Sequence, residues 1–147
     1  MSKIEKILVT GKTHTTFNSA SRGAHGKLDI ELSSPGAAKP AHVLTATLAH
    51  PTAEQLFAGA WSACYISAVA LVAQEMNITL PADVAVQIEV DLGQSGNAYL
   101  LQARFEVRLP GVAQDVAEAI AHSAHDMCPY SKAVRGNIDV AVTVITA

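Results

Sequence analysis

Residues 51–76 read P-T-A-E-Q-L-F-A-G-A-W-S-A-C-Y-I-S-A-V-A-L-V-A-Q-E-M, with the first of two cysteines, Cys64, near the middle. Thr52 is placed to cap a helix by accepting a backbone N–H. Gln55, three positions on, completes a capping box, and Glu54 sits where the positive end of the helix dipole favours an acid. From Leu56 to Ala73 no residue is charged. Stepping by four from Leu56 gives Ala60, Cys64, Ala68 and Val72 on roughly one face. Apolar residues continue around the other faces, so the pattern predicts a helix buried on most sides. A run of this length is at the lower limit for a membrane span. Alanines, a glycine and serines dilute its hydropathy, and neither end carries the basic cluster of a membrane-crossing helix. The expectation is a central core helix, whose small residues let a second helix approach closely.

Outward from this helix the chain alternates between strands and breaks. Residues 4–10 predict a strand, and 12–27, polar with Gly and Ser and the single arginine Arg22, predict a loop or an edge hairpin. Residues 27–32, K-L-D-I-E-L, alternate with period two as a half-buried strand does. Residues 33–40, S-S-P-G-A-A-K-P, break it, and 41–49 read as a strand or an extended connection. After the helix, 84–92 and 98–109 alternate on either side of a turn at 93–97 and predict an antiparallel hairpin. Pro110-Gly111 ends it. Residues 112–127 have helical spacing, and Cys128 stands at that helix's end because Pro129 cannot continue it. Residues 137–146 form a last strand. Strands, helix, hairpin, helix and strand in that order predict an α+β fold with mainly antiparallel sheet, as one domain over residues 1–147.

Half of the 147 residues are hydrophobic and 16% are charged. That is apolar for a monomer of this size and predicts that part of the apolar surface goes into an oligomer interface. A net charge of −3 and the lack of a Lys/Arg cluster exclude a nucleic-acid-binding surface. The first ten residues lack the apolar core and cleavage site of a secretion signal, so cytoplasmic residence without membrane attachment is expected. Cysteines in that compartment are free thiols or redox partners more often than staples. Cys64 and Cys128 match neither a C-x-x-C redox motif nor a zinc signature.

The residues alone leave two readings of each cysteine open. A free cysteine packs as a small hydrophobe, and it is reactive where a cation or helix dipole stabilises its thiolate. Arg22 and Arg135 are the candidate cations. Glu54 and Cys64, ten positions apart, are separated by about 15 Å of rise on a straight helix. If both serve one site, the helix bends or a second subunit supplies Glu54, which favours a dimer with composite sites. His122 and His125 have the i, i+3 spacing of a metal pair, but no further ligand is identifiable, so no metal site is expected. Trp61 and Tyr65, flanking Cys64, suit either core packing or the lining of an apolar pocket.

Three segments in order, A-E-Q-L-F-A-G-A-W-S-A-C, C-P-Y-S at 128–131 and R-G-N-I-D-V at 135–140, resemble the organic hydroperoxide resistance branch of the OsmC-like superfamily. K-L-D-I-E-L-S-S-P-G matches that branch's early strand. The resemblance implies an OsmC-like α+β fold, antiparallel sheets packed around central helices, in an intertwined homodimer with two interfacial active sites. It also implies a cysteine peroxidase acting on organic hydroperoxides. Cys64 would attack the peroxide and become a sulfenic acid. Cys128 would resolve it as a disulfide, and a lipoyl-type dithiol, on a lipoylated protein or as dihydrolipoamide, would act as reducing co-substrate with no cofactor bound. Glu54 would hold an arginine that polarises the thiolate.

The sequence departs from the family at that arginine. A G-G-R-type turn is replaced by T-T-F-N-S-A-S-R-G, and Arg22 is the only arginine nearby. Residues 38–52 also replace a shorter Gly-rich connection. These departures keep a second reading in view, an OsmC-like binder of small apolar molecules with weak or no peroxidase chemistry. Phe17, Trp61 and Tyr65 are the apolar residues expected to favour alkyl peroxides.

Overall fold

The computed structural model describes residues 3–17, 30–33, 40–45 and 51–147, with side chains described over 3–16 and 51–147. Among the described residues, one six-stranded sheet carries the fold. Its strands are β1 (Lys6–Phe17), β2 (Ile30–Ser33), β3 (Pro40–Thr45), β4 (Ala85–Ser95), β5 (Ala98–Arg108) and β6 (Asp139–Ile145). The helices among the described residues are α1 (Ala53–Glu75), α2 (Gln114–Met127) and α3 (Pro129–Val134). The strand order is β2-β3-β1-β4-β5-β6. Every pair is antiparallel except β5 with β6, which run parallel because α2 and α3 intervene as a crossover.

The capping box at the start of α1 forms as its residues predict. Thr52 Oγ1 accepts from the Gln55 N–H at 3.1 Å, and Gln55 Oε1 accepts from the Thr52 N–H at 3.0 Å. Just past the end of the helix, Asn77 takes the left-handed φ of 57° that short polar side chains tolerate. By length and composition α1 could cross a membrane, yet 61% of its apolar window is buried within the fold. It lies on β1 and β4 and is flanked by α2 and α3. The row Leu56, Ala60, Cys64, Ala68 and Val72 does not stay on one face. Steps of four advance about 40° each, so the row winds from exposed Leu56 and Ala60 through half-buried Cys64 to buried Ala68 and Val72.

Residues 12–17, read above as the start of a loop or hairpin, continue β1 instead. Thr13 and Thr15 point into the core and Lys12 and Thr16 away from it, a period-two pattern that threonine fits well but that its polarity obscures. Pairing with β4 runs from Lys6 to Thr16, with a register shift between Ile7 and Val9. β3 starts at Pro40, inside the predicted break, and Thr45 is its last residue. Residues 18–29, 34–39 and 46–50 lie outside the described residues, and with them the start of the predicted 27–32 strand, most of the predicted break and the end of the 41–49 segment. α3 is absent from the sequence reading. Pro129 stops α2 and then opens α3 at its first position, where its missing N–H costs nothing.

The hairpin of β4 and β5 turns through Gly96 at φ 55°, a left-handed conformation that glycine adopts without cost. Gly11 is required for a different reason. A Cβ there would stand 2.3 Å from the Gln55 nitrogen and 2.4 Å from the Glu54 carbonyl carbon. β1 therefore crosses directly over the first turn of α1, and Gly11→Ala must push two backbones apart. We expect that variant to lose about 1–3 kcal/mol of stability, or more, in urea denaturation.

On the sheet face away from α1, Asp91 is buried among donors. Thr10, Gln102 and Arg104 all donate to its carboxylate, with Gln102 Nε2 at 2.7 Å and Arg104 Nη2 at 3.0 Å. Arg104 also pairs with Glu89 at 2.8 Å, as does Lys12 at 2.8 Å. Burial works to raise the Asp91 pKa, but the bonds from Arg104, Thr10 and Gln102 outweigh it and hold the carboxyl below its usual range. The bonds from Lys12 and Arg104 lower Glu89 likewise. Folded-state pKa values below the unfolded ones mean stability that is present above about pH 4 and lost as pH falls through the depressed values. Asp91→Asn should therefore cost about 2 kcal/mol or more at neutral pH. The gap between variant and wild type should narrow in denaturation below about pH 4.

Candidate active site

Cys64 and Cys128, 64 positions apart in sequence, meet with their sulfurs 3.1 Å apart. Cys64 projects from the middle of α1 and is half-buried, while Cys128 is 0% exposed. A reagent arriving from solvent thus meets Cys64 first. Both thiols are free. Their separation needs to close by only about 1 Å to reach disulfide length.

Cys128 owes its position to the corner between two helices. It is at once the C-terminal cap of α2 and the N-terminal cap of α3, with extended backbone at φ −60° and ψ 121°. Its N–H donates to the Ala124 carbonyl at 2.9 Å, and its own carbonyl accepts from the Lys132 N–H at 3.0 Å. Each helix is fastened to α1. The Tyr65 hydroxyl donates to the Ala121 carbonyl of α2 at 2.7 Å, and Trp61 Nε1 donates to the Ser131 hydroxyl of α3 at 2.9 Å. Burial raises the pKa of the Tyr65 hydroxyl far above its ordinary value, so it keeps the proton it donates.

Trp61 and Tyr65 are both 0% exposed and pack edge-on against Phe105, with ring centroids 4.9 Å away in each case. They are core residues and do not line an open pocket, so the expectation that they select alkyl peroxides fails. Their aromatic faces are satisfied by Phe105 and their polar atoms by α2 and α3. The open side of α1 around Cys64 presents Leu56 and Ala60 instead, with Phe57 half-buried beside them. Phe17 closes β1, and its side chain lies outside the described residues.

The thiol of Cys64 is pushed up to about 11. Burial is the main cause, and Cys128 beside it adds to the rise, while the Tyr130 N–H at the start of α3 works against it. Among the described residues no cation is found acting on this thiol. Arg135, one of the two candidate cations, donates to Asp126 at 2.6 Å and reaches the His125 carbonyl at 3.5 Å. It braces the α2–α3 corner. Arg22, the other, lies outside the described residues. Glu54 is half-buried in the first turn of α1, under β1 at Gly11, ten residues from Cys64 along one uninterrupted helix. The structure does not bring Glu54 to the thiols within this chain.

His122 is exposed. His125 is half-buried with its ring 5.7 Å from that of Phe105, and no described residue bonds its Nδ1. Burial, reinforced by Arg135, lowers the His125 pKa. Among the described residues no group of three His, Cys, Asp or Glu side chains is arranged to hold a metal ion. Two features of the site escaped the sequence reading, the Tyr130 N–H on Cys64 and the Trp61–Ser131 bond. Cys-Pro followed by helix-compatible residues was the available signal, because proline after a capping residue begins helices as well as ending them.

An α+β fold that holds a half-exposed thiol against a buried one, at the junction of a core helix with a helix corner, defines a two-thiol protein. The OsmC-like protein family matches residues 45–143, which contain both cysteines. An organic hydroperoxide resistance protein of Xanthomonas axonopodis pv. citri is 32% identical over 150 aligned positions, covering 98% of this chain and 99% of that protein. An uncharacterized protein of Acinetobacter baylyi is 39% identical over 93 residues, and the match spans 63% of this chain and 65% of that protein's length. The crystal structure of an organic hydroperoxide resistance protein from Elizabethkingia anophelis superposes with a TM-score of 0.63 at 26% identity, covering 98% of this chain and 100% of that one. The chain belongs to the OsmC-like family, in its organic hydroperoxide resistance branch.

Proposed function

We propose that this protein is a thiol peroxidase that reduces organic hydroperoxides to alcohols. The reading rests above all on two free sulfurs 3.1 Å apart, one half-exposed and one buried. The Cys64 thiolate attacks a peroxide oxygen, the O–O bond breaks, and the alkoxide leaves and takes a proton to become the alcohol. Cys64 is then a sulfenic acid. Cys128 attacks that sulfur, its proton leaves with the hydroxide as water, and a Cys64–Cys128 disulfide remains. A dihydrolipoyl dithiol, free or on a lipoylated protein, restores both thiols by two exchange steps and leaves as the cyclic disulfide. No bound cofactor is needed. The cytoplasm, where thiols stay reduced, is the compartment this cycle fits.

Arg22 is the cation we assign to the thiolate, with Glu54 holding it in place. Glu54 is about 15 Å of helix rise from Cys64 on its own chain, so the pairing is across a homodimer. Two surfaces support that assembly. The open side of α1 exposes Leu56 (51%) and Leu71 (52%) on either side of Cys64, and Ile7, Leu8 and Val9 are exposed along β1.

A second reading, an OsmC-like binder of small apolar molecules, draws on the high pKa of Cys64 and on the absence of a cation acting on it among the described residues. Mixing the purified protein with cumene hydroperoxide and dihydrolipoamide separates the two. The peroxidase reading expects dihydrolipoamide to be consumed in step with the peroxide, faster than with hydrogen peroxide. Saturable binding of the peroxide without its consumption would establish the binder.

A further inference from the structure

Each thiol is bracketed by the same two buried hydrogen bonds. On α1, Trp61 and Tyr65 occupy positions three before and one after Cys64, and their donors reach Ser131 and Ala121 on either side of Cys128. Trp61, Tyr65 and Ser131 are all 0% exposed. Because Cys128 belongs to the last turn of α2 and caps the first of α3, neither helix alone sets where its sulfur lies. α2 is a four-turn helix lying along α1, whereas α3 has six residues, too few to hold a direction by their own hydrogen bonds. Trp61 Nε1 on Ser131 ties α3 to α1 through a bond between two side chains.

We propose that Trp61 and Ser131 are positioning residues for the resolving step. Their bond holds α3 so that the Cys128 sulfur stays in line with Cys64, about 1 Å from disulfide length. Neither side chain touches the peroxide. The inference rests on the two-thiol reading above, in which Cys128 displaces hydroxide from the Cys64 sulfenic acid. It predicts that the bond governs closure of the disulfide and not the initial oxidation of Cys64.

The test separates these steps and also works without a peroxide. Cys64 is first converted to a mixed disulfide with 5-thio-2-nitrobenzoate. Attack by the Cys128 thiolate then forms Cys64–Cys128 and expels the coloured aromatic thiolate, so closure is read directly. Ser131→Ala and Trp61→Phe should each slow that release by about tenfold, and Ser131→Thr, which keeps the hydroxyl, should restore it. The double variant should be no slower than the worse single one, because both remove the same bond. In parallel, the rate of Cys64 oxidation by cumene hydroperoxide should be unchanged, with more sulfenic acid trapped by dimedone.

Wild-type closure rates in both single variants would overturn the proposal. So would slowing that Ser131→Thr does not repair, or slowing of oxidation and closure by one common factor, which would mark a merely structural bond. If wild-type Cys64 closes with Cys128 from the mixed disulfide but no peroxide oxidises it, the peroxidase reading fails while the positioning role stands.

Discussion

Cys64→Ser is expected to bring peroxide consumption down to the uncatalysed level, because a serine hydroxyl has neither the acidity nor the soft nucleophilicity of a thiol. Cys128→Ser should behave differently. The Cys64 sulfur remains the exposed one of the pair, so a single equivalent of peroxide is still reduced in the first turnover. Steady-state recycling by dihydrolipoamide is then lost, and excess peroxide carries the stranded sulfenic acid up to sulfinic acid. Stopped-flow mixing gives the first turnover. Intact-mass spectrometry distinguishes a gain of oxygen in Cys128→Ser from the loss of two hydrogens in the wild type. Equal turnover in wild type and Cys64→Ser would end the proposed mechanism.

The second large effect concerns the charge that Cys64 needs. Burial, with Cys128 beside it, pushes the Cys64 thiol up to about 11. At pH 7 that leaves roughly one thiol in ten thousand as thiolate. A cation against the sulfur favours the charged form and lowers the pKa, so removing it returns the thiol towards 11. A higher pKa also makes the remaining thiolate a better nucleophile, recovering about 0.4–0.5 log units per unit of pKa. If Arg22 brings the thiol down to about neutrality, Arg22→Ala should cost about a hundredfold in oxidation rate at pH 7. Its rate should also climb about tenfold per pH unit across the alkaline range, where the wild type is flat. The ultraviolet absorbance of the thiolate, followed through a pH titration, gives the pKa itself. An unshifted titration in Arg22→Ala would remove this arginine from the site. Arg135→Ala is the control, since that guanidinium is already committed to Asp126, and its loss should leave the Cys64 titration in place.

α1 and α2 were legible because their signals are local. Thr52 and Gln55 announce the start of α1 through side-chain bonds to backbone within three residues, and the bonds are there. The hairpin of β4 and β5 was legible from alternation on either side of a glycine turn. β1 was only partly legible, since the inward positions of its second half are threonines, and Thr15 is accommodated by a 2.6 Å bond to Ser62 on α1. The parallel placement of β6 beside β5 and the existence of α3 both depend on how the chain returns after Cys128. No local period encodes that return.

The same division runs through the site. An uncharged, capped helical run with a cysteine at its centre, and a second cysteine just before a proline, were enough to define an α+β chain with two candidate thiols, because capping and periodicity act between neighbours. Which cysteine faces solvent, that the two sulfurs stand 3.1 Å apart, and that Trp61 and Tyr65 belong to the core are tertiary facts. They arise because α1 rotates its residues by about 100° each, so a residue's exposure depends on which neighbour packs against that side. Sequence spacing cannot bring positions 64 and 128 together. The folding of α2 and α3 against α1 does so, by burying Trp61 and Tyr65 and giving each of their donors an acceptor there.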